Sequence, residues 1–247
     1  MGDVESDLID LARDSCQRSL LLAPDRRSDG RLLRRHESVG GNRSVFMWGL
    51  ASMNNVVLIR HVETDLRGTF CGQSDPDLNA AGENRLRSLL EEVVPLAIEN
   101  IYSSDLRRAS RTAIAIGERI GAPVELRPGL REIHFGLWEG LRWDEIQLKY
   151  PREARLWVSE FPNRCAPGGE PYRDFTARIE AEFRLVIARP NGASSAVVTH
   201  RGVIEYALTR LFGFCEEDAR KRTENYGTIV VATPSRLAET HYTGVTG

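Results

Sequence analysis

Short apolar runs alternate with amphipathic segments along the chain from Asn54 onward. The runs VVLI (56–59), SSAVVTH (194–200) and GTIVVAT (227–233) are rich in β-branched residues, which is typical of buried strands. Strands are also predicted over AIENIYSS, PVELRP and RLAETHY. Because strands and helices alternate, the pattern predicts a three-layer α/β/α fold whose mostly parallel central sheet is covered on both faces.

Helices are predicted between these strands from apolar spacing, caps and prolines. Asn79 is a plausible cap for a helix over AAGENRLRSLLEEVV, in which leucine and valine recur on one face. Further helices are predicted from near Asp105 to Gly121, from Trp143 to Glu160 with an interruption at Pro151, from Pro171 to about Ala188, and through GVIEYALTRLFG.

The first part of the chain has a different character. Residues 1–52 combine the charged stretch DRRSDGRLLRRHE with SVGGNRS, and only DLIDLARDSCQRSLLLA could form an amphipathic helix. We therefore expect an N-terminal extension over 1–52 that is disordered or forms one loosely docked helix, followed by one domain over 53–247. Translation starting at Met47 or Met53 remains an alternative.

Composition narrows the classes of partner. Hydrophobic residues make up 41% and charged residues 28% of the chain, as in ordinary soluble proteins, and the net charge is −2. We therefore expect neither nucleic acid nor membrane as a partner. The four cysteines lie far apart without a CxxC pair, so no metal site is expected. The apolar runs near the start are too short to span a bilayer, and we expect a cytoplasmic protein.

Two of the predicted strands end in a histidine. His61 follows VVLIR and His200 follows AVVT. In open α/β sheets, sites form beyond the carboxyl ends of the strands, so both imidazoles are candidates for function. Metal binding is one interpretation, but the carboxylate–histidine spacing of metal motifs is missing. Phosphate chemistry is the other, and SSDLRRASRTA adds the guanidinium groups of Arg107, Arg108 and Arg111 at a predicted helix start.

Five segments then resemble, in order, the sequence blocks of the histidine phosphatase superfamily, also called phosphoglycerate-mutase-like. They are LIRHVET, GQSDPDLNAAG, SSDLRRASRTA, LREIHFGLWEG and VVTHRGVI. The resemblance covers roughly Met53 to Thr243. Any single block is a weak signal, whereas five in family order indicate the fold and the catalytic class.

The resemblance implies a role for each matching residue. His61 would be the nucleophile that forms a phosphohistidine, and Arg60 and Arg108 would clamp the phosphoryl oxygens. His200 would complete the pocket. Glu132 would protonate the leaving oxygen and then activate water, which requires a raised pKa.

Substrate-binding positions are less well defined by the resemblance. Thr64 and Gln73 match positions that line the phosphate pocket. The chain departs from the pattern at three places, where Val62, Arg67 and Arg201 stand in place of glycine, asparagine and glycine. Arg67 could add a charged contact to the phosphate, and the main-chain N–H of Arg201 could bind it. Val62 fits only if its backbone keeps an ordinary conformation, because valine is stiff and bulky.

The function implied is a phosphomonoester hydrolase that needs no cofactor and acts on a small phosphorylated metabolite. The segments LREIHFGLWEGLRWDEI and APGGEPYRDFTARI most resemble the branch of the family that contains α-ribazole phosphatase, so α-ribazole 5′-phosphate is the specific candidate. A 2,3-bisphosphoglycerate-dependent phosphoglycerate mutase and a non-catalytic phospholigand-binding module are the alternatives. A homodimer is compatible with the sequence.

Overall fold

The computed structural model describes residues 55–188 and 194–233. The predicted extension over 1–52 and the predicted strand over RLAETHY lie outside the described residues.

A five-stranded mixed sheet forms the centre of the described chain. Its strands are β1 (Val56–Arg60), β2 (Ile98–Ser103), β3 (Val124–Leu126), β4 (Ser194–Thr199) and β5 (Ile229–Ala232). Their order across the sheet is β3-β2-β4-β1-β5. The first four strands are parallel, and β5 pairs antiparallel with β1. The prediction of a mostly parallel sheet is therefore confirmed.

Seven α-helices are present among the described residues. They are α1 (Ala80–Val93), α2 (Arg107–Ile120), α3 (Trp143–Lys149), α4 (Pro151–Glu160), α5 (Tyr172–Ile187), α6 (Arg201–Arg210) and α7 (Glu216–Thr223). Asn79 caps α1, since its side-chain oxygen accepts a hydrogen bond from the N–H of Gly82 at 2.8 Å. Pro151 separates α3 from α4 and occupies the first turn of α4, as the sequence predicts.

Strand β1 shows why both faces of the sheet are covered. Val56 and Leu58 belong to a core cluster with apolar residues of α5 and α6. Val57 and Ile59 project to the other face and pack with α1 and α2. All four side chains are buried, so the run VVLI reads as continuously apolar rather than alternating. This arrangement confirms the three-layer α/β/α fold.

A third apolar cluster lies under α3 and α4. It contains Phe70, Phe135, Trp138, Ile146, Ala154, Trp157 and Ala166. Because Trp138 is fully buried and contacts Phe70 and Trp157 edge-on, its role is in packing. The cluster packs α3 and α4 against Phe135 and Trp138, which follow Glu132 in the sequence.

Helix α7 has no counterpart in the sequence prediction. Its sequence EEDARKRT is almost entirely charged, and only Ala219 and Thr223 are buried, so it lacks an apolar period. Acidic residues fill its first turn and basic residues its last, which complements the helix dipole. None of the helices described is long and apolar enough to cross a membrane.

Candidate active site

His61 and His200 lie side by side at the carboxyl edge of the sheet. Their strands, β1 and β4, are parallel neighbours, and the register pairs Arg60 with Thr199, so each histidine follows a paired residue. The N–H of His61 donates to the carbonyl of Thr199 at 2.9 Å. The two ring centroids are 5.1 Å apart, and both side chains are buried. The two imidazoles therefore share one pocket at the carboxyl ends of their strands, where sites form in sheets of this kind.

The tautomer of His61 follows from its hydrogen bonds. A carbonyl can only accept, so Nδ1–H donates to the carbonyl of Val62 at 2.7 Å. This leaves a lone pair on Nε2, which accepts from Nε of Arg108 at 3.2 Å. Burial, and then the charges of Arg108 and Arg60, hold the pKa of His61 well below its usual value. The ring is therefore neutral near pH 7, with an unprotonated nitrogen in the pocket.

Arg108 is buried at the start of α2 and is held by main-chain oxygens. Its Nη1 donates to the carbonyl of Ser74 and its Nη2 to the carbonyl of Gly72, both at 2.6 Å. Together with the contact to His61, these hydrogen bonds fix the guanidinium plane before any ligand arrives. A buried, oriented cation of this kind suits a phosphoryl group.

Arg60, at the end of β1, has the same type of support from a different element. Its Nη1 donates to the carbonyls of Thr223 and Glu224, each at 2.8 Å, at the C-terminal end of α7. The negative end of the helix dipole favours a cation there. The ring of Tyr226 lies 3.9 Å from the guanidinium carbon and 5.5 Å from the ring centroid of His61. Tyr226 thus contacts both the cation and the candidate nucleophile.

His200 is oriented by Ser104, which follows β2 at the same sheet edge. The Nε2 atom lies within hydrogen-bond distance of Oγ of Ser104, at 2.8 Å, and the N–H of Leu106 donates to the same oxygen at 3.3 Å. The Nδ1 atom is buried and contacts no hydrogen-bonding group among the described residues. Burial, with the charge of Arg108 next in importance, holds the pKa of His200 well below its usual value. This orphaned ring nitrogen is a candidate contact for a ligand oxygen.

Glu132 provides a buried carboxyl group beside the histidines. Its Oε1 accepts from the N–H of Ile133 at 2.9 Å and its Oε2 from the N–H of Gly202 at 3.0 Å. Burial raises the pKa of Glu132 despite these hydrogen bonds and despite the charges of Arg108 and Arg178. The carboxyl group therefore holds its proton to a higher pH than an exposed glutamate does.

These groups surround one cavity of about 310 Å³. Its lining consists of Arg60, His61, Thr64, Cys71, Arg108, Glu132, His200, Arg201 and Tyr226. The structure thus brings together all five predicted catalytic residues, together with Thr64 and Arg201. Their chemical roles remain predictions. In the part of the chain that the structure describes, no group of three His, Cys, Asp or Glu side chains is placed to hold a metal ion.

Two predicted substrate-binding residues lie outside this lining. Arg67 is mostly exposed and forms an ion pair with Glu63 at 2.9 Å, so its guanidinium does not reach the pocket. Gln73 contributes instead to the support of Glu132, because its side-chain amide donates to the main-chain oxygen of that residue at 3.1 Å. Both residues follow the first histidine in the sequence, but the intervening turn directs them elsewhere.

Comparison with known proteins agrees with this geometry. The sequence pattern of the histidine phosphatase superfamily (branch 1) matches residues 56–238. The chain belongs to this superfamily. It is 31% identical over 150 residues to phosphoserine phosphatase 1 of Hydrogenobacter thermophilus, covering 60% of this chain and 71% of the relative. It is also 31% identical over 163 residues to a probable phosphoglycerate mutase GpmB of Enterobacter sp., covering 65% of this chain and 76% of the relative.

Solved structures of the superfamily share the fold. A mycobacterial glucosyl-3-phosphoglycerate phosphatase superimposes with a TM-score of 0.61 and 29% identity, covering 72% of this chain and 89% of that one. The alpha-ribazole phosphatase from Shigella flexneri gives a TM-score of 0.65 over 73% and 94% of the two chains, at 22% identity. At that identity the second similarity supports the fold alone. Relatives thus include enzymes named as phosphatases and as a mutase.

Two departures from the superfamily pattern are accommodated. Among the described residues other than glycine, only Ala97 has a positive φ, so Val62 keeps an ordinary backbone conformation. The side chain of Val62 is fully buried in the core on the α1–α2 face and is absent from the pocket lining. Arg201 is buried, and its Nε donates to Oε1 of Glu205 at 2.7 Å.

Sequence reasoning missed three residues that support the site: Ser104, Arg178 and Tyr226. Ser104 follows β2, so the rule about strand ends could have identified it. Tyr226 precedes β5, and because that strand is antiparallel, its start lies at the same edge. Arg178 lies within α5 and donates to the main-chain oxygen of Glu132 at 2.9 Å. No local signal marks Arg178, since its acceptor is a backbone atom 46 residues away.

Proposed function

We propose that the protein is a phosphomonoester hydrolase that acts through a phosphohistidine on a small phosphorylated metabolite. The observation that carries the proposal is the lone pair on Nε2 of His61, held within a pocket that also contains Arg60, Arg108, His200 and Glu132. A histidine can attack phosphorus only through an unprotonated nitrogen, and here the Nδ1–H contact assigns which nitrogen that is.

In the first step, Nε2 of His61 attacks phosphorus while the bond to the leaving oxygen breaks. Arg60 and Arg108 hold the equatorial phosphoryl oxygens, and the incoming group takes over the hydrogen bond that Arg108 makes to Nε2. The Nδ1–H group of His200 donates a hydrogen bond to a phosphoryl oxygen, and the hydroxyl group of Ser104 donates a hydrogen bond to Nε2. The carboxyl group of Glu132 transfers its proton to the leaving oxygen, and the alcohol departs.

In the second step, water attacks phosphorus and the N–P bond breaks. The Glu132 carboxylate accepts a proton from that water, which restores the carboxyl group, and inorganic phosphate leaves. The electron pair of the N–P bond returns to Nε2 of His61. No cofactor takes part, because the two steps exchange only a phosphoryl group and a proton. Within this class, α-ribazole 5′-phosphate is the specific substrate candidate on the resemblance of two segments.

The proposal is tested by mixing the protein with 4-nitrophenyl phosphate and following phosphate release and alkali-stable phosphohistidine. His61→Ala should abolish both. Arg108→Ala should lower kcat/KM at least 100-fold. The matched control is Arg111→Ala, one turn along α2, whose exposed guanidinium pairs with Asp77 and Glu83 and which should retain activity.

The alternatives give different results in the same assays. A mutase would convert 3-phosphoglycerate to its isomer with little net phosphate release. A phospholigand-binding module would bind phosphate with no turnover of any ester. Full activity of His61→Ala would refute the assigned nucleophile. A panel with α-ribazole 5′-phosphate, 3-phosphoglycerate and fructose bisphosphate compares the substrate candidates directly.

A further inference from the structure

A second cleft opens beside the phosphate pocket. It spans about 720 Å³, which includes space open to solvent, and Glu132 and Arg201 line both it and the phosphate pocket. Because Glu132 is the proposed donor to the leaving oxygen, the organic group attached to that oxygen has this cleft as its neighbour. The cleft is called the aromatic cleft here after five of its lining residues, which are Phe135, Trp157, Phe161, Tyr172 and Phe175.

The rings of the aromatic cleft form a continuous apolar wall. Phe161 lies at its centre, with ring centroids 5.5 Å from Trp157 and 5.2 Å from Tyr172. Tyr172 in turn lies 5.9 Å from Phe175. Trp157 and Phe175 are buried and belong to two different core clusters, so the wall is anchored on both sides. Phe161 and Tyr172 are half-buried and present ring surface to the cleft.

The charged groups in the wall already have partners. Glu170 in the wall accepts from Arg178 behind it at 2.7 and 2.8 Å. Arg164, the exposed cation of the wall, pairs with Glu160 at 2.8 Å. Arg201 and Glu205 pair with each other at 2.7 Å and are both buried. A ligand carboxylate would have to compete with a carboxylate of the chain for each of these guanidinium groups, and the Arg201–Glu205 pair is buried. The wall is therefore suited to an uncharged group and poorly suited to a carboxylate.

We propose that the substrate is a phosphomonoester whose alcohol carries an uncharged, ring-containing apolar group, which lies in the aromatic cleft during hydrolysis. This proposal rests on the proposed function, since it concerns the organic part of the same substrate. The proposed substrate differs from the substrates named for two of the chain's relatives. Phosphoserine and phosphoglycerate carry a carboxylate beside the phosphate ester, and phosphoserine also carries an ammonium group.

A matched series of esters tests the proposal. Ethyl phosphate, 2-phenylethyl phosphate and O-phosphoserine are all esters of primary alcohols, so differences in leaving-group chemistry are small. We expect kcat/KM for 2-phenylethyl phosphate to exceed that for ethyl phosphate about 10- to 100-fold, the factor associated with removing one phenyl ring from water. O-phosphoserine should be no better than ethyl phosphate.

Variants then locate the preference in the cleft. Tyr172→Ala should lower the ratio of kcat/KM for 2-phenylethyl phosphate over ethyl phosphate about 5- to 10-fold, and Tyr172→Phe should retain it. Phe161→Arg introduces a cation and should raise the ratio of O-phosphoserine over ethyl phosphate. The control is Leu148→Ala on α3, which removes an apolar side chain that is 83% exposed and should leave both ratios unchanged.

Failure of this proposal differs from failure of the proposed function. Hydrolysis of ethyl phosphate without a preference for the phenyl ester would overturn the assignment of the aromatic cleft and leave the hydrolase intact. An unchanged O-phosphoserine ratio in folded Phe161→Arg would count against it independently of Tyr172. No turnover of any of the three esters by the unmodified protein would instead overturn the proposed function.

Discussion

Replacing Val62 by glycine, the residue that the superfamily pattern has after the first histidine, should cost stability and gain no activity. The side chain of Val62 is fully buried on the α1–α2 face of the sheet. Its Cγ1 lies 3.2 Å from the place where a Cβ on Gly227 would be, so the two positions are closely packed. The part of Val62 next to the site is its carbonyl, which accepts from His61 and would remain in glycine.

The magnitude follows from burial and backbone freedom. Removing a fully buried valine side chain forfeits about 1.5–3 kcal/mol of transfer free energy, and the cavity left behind adds to this. Glycine at a position that needs no positive φ costs roughly 0.4–1 kcal/mol more, because the unfolded chain gains conformational freedom. We therefore expect Val62→Gly to lower the free energy of unfolding by about 2–4 kcal/mol, and Val62→Ala by about 2 kcal/mol.

Urea unfolding at constant m-value measures this loss of stability, and kcat/KM for 4-nitrophenyl phosphate measures the activity of the site. Val231→Ala on β5 is a suitable control, because that valine is 48% exposed and its loss should cost less than about 0.5 kcal/mol. The activity of Val62→Gly should stay within about twofold while the protein is folded. A tenfold gain in kcat/KM, or no loss of stability, would refute the view that valine is accommodated here as a core residue.

Three further predictions concern the titrating and stacking groups. Because burial raises the pKa of Glu132, the carboxyl group keeps its proton to a higher pH than an exposed glutamate does. As the proposed acid it matters most for a poor leaving group, so Glu132→Gln should lower kcat about 10²–10⁴-fold for ethyl phosphate and less for 4-nitrophenyl phosphate. Equal losses would exclude the acid role. The pKa values of His61 and His200 are lowered in the folded protein, so the unfolded chain binds more protons than the folded one as pH falls below about 6.5. The free energy of unfolding should therefore fall by up to about 1.4 kcal/mol per pH unit for each histidine, and Glu132, whose pKa is raised, acts in the opposite direction. A His200→Gln variant with the same pH slope in urea unfolding would contradict this. Tyr226→Ala should raise the inhibition constant of phosphate about threefold or more by removing the ring over Arg60, whereas Tyr226→Phe should match the unmodified protein.

The core of the site was predictable because it depends on rules that act locally along the chain. Apolar runs identify β1 and β4, and parallel strands expose their carboxyl ends at one edge. Those two facts place His61 and His200 at the same edge, and the observed strand order, in which β1 and β4 are neighbours, sets them side by side. The positions of Arg108 and Glu132 came from resemblance alone, since neither helix period nor strand alternation determines which arginine or glutamate reaches that edge.

The supporting contacts were not predictable, because most of their acceptors are main-chain atoms. Arg60 binds the carbonyls of Thr223 and Glu224, and any residue type could supply such an oxygen. Those carbonyls belong to α7 and the residue after it, and α7 has no apolar stripe to predict it. Arg67 and Gln73 show what residue type alone leaves open, and their role in binding substrate stays a prediction. A residue type suited to phosphate was assigned to the pocket, while the turn after His61 sends both side chains to carboxylate or backbone partners.

The electrostatics of the pocket connect its structure with its proposed chemistry. Arg60 and Arg108 both donate to neutral main-chain carbonyls, and a carbonyl, unlike a carboxylate, does not cancel the positive charge that it binds. Their field, added to burial, keeps the pKa of His61 low and its Nε2 unprotonated. A phosphate ester that carries about two negative charges opposes that same field when it binds. The arrangement therefore keeps the nucleophile available until the phosphate arrives, and the arginines then stabilise the phosphoryl group as it is transferred.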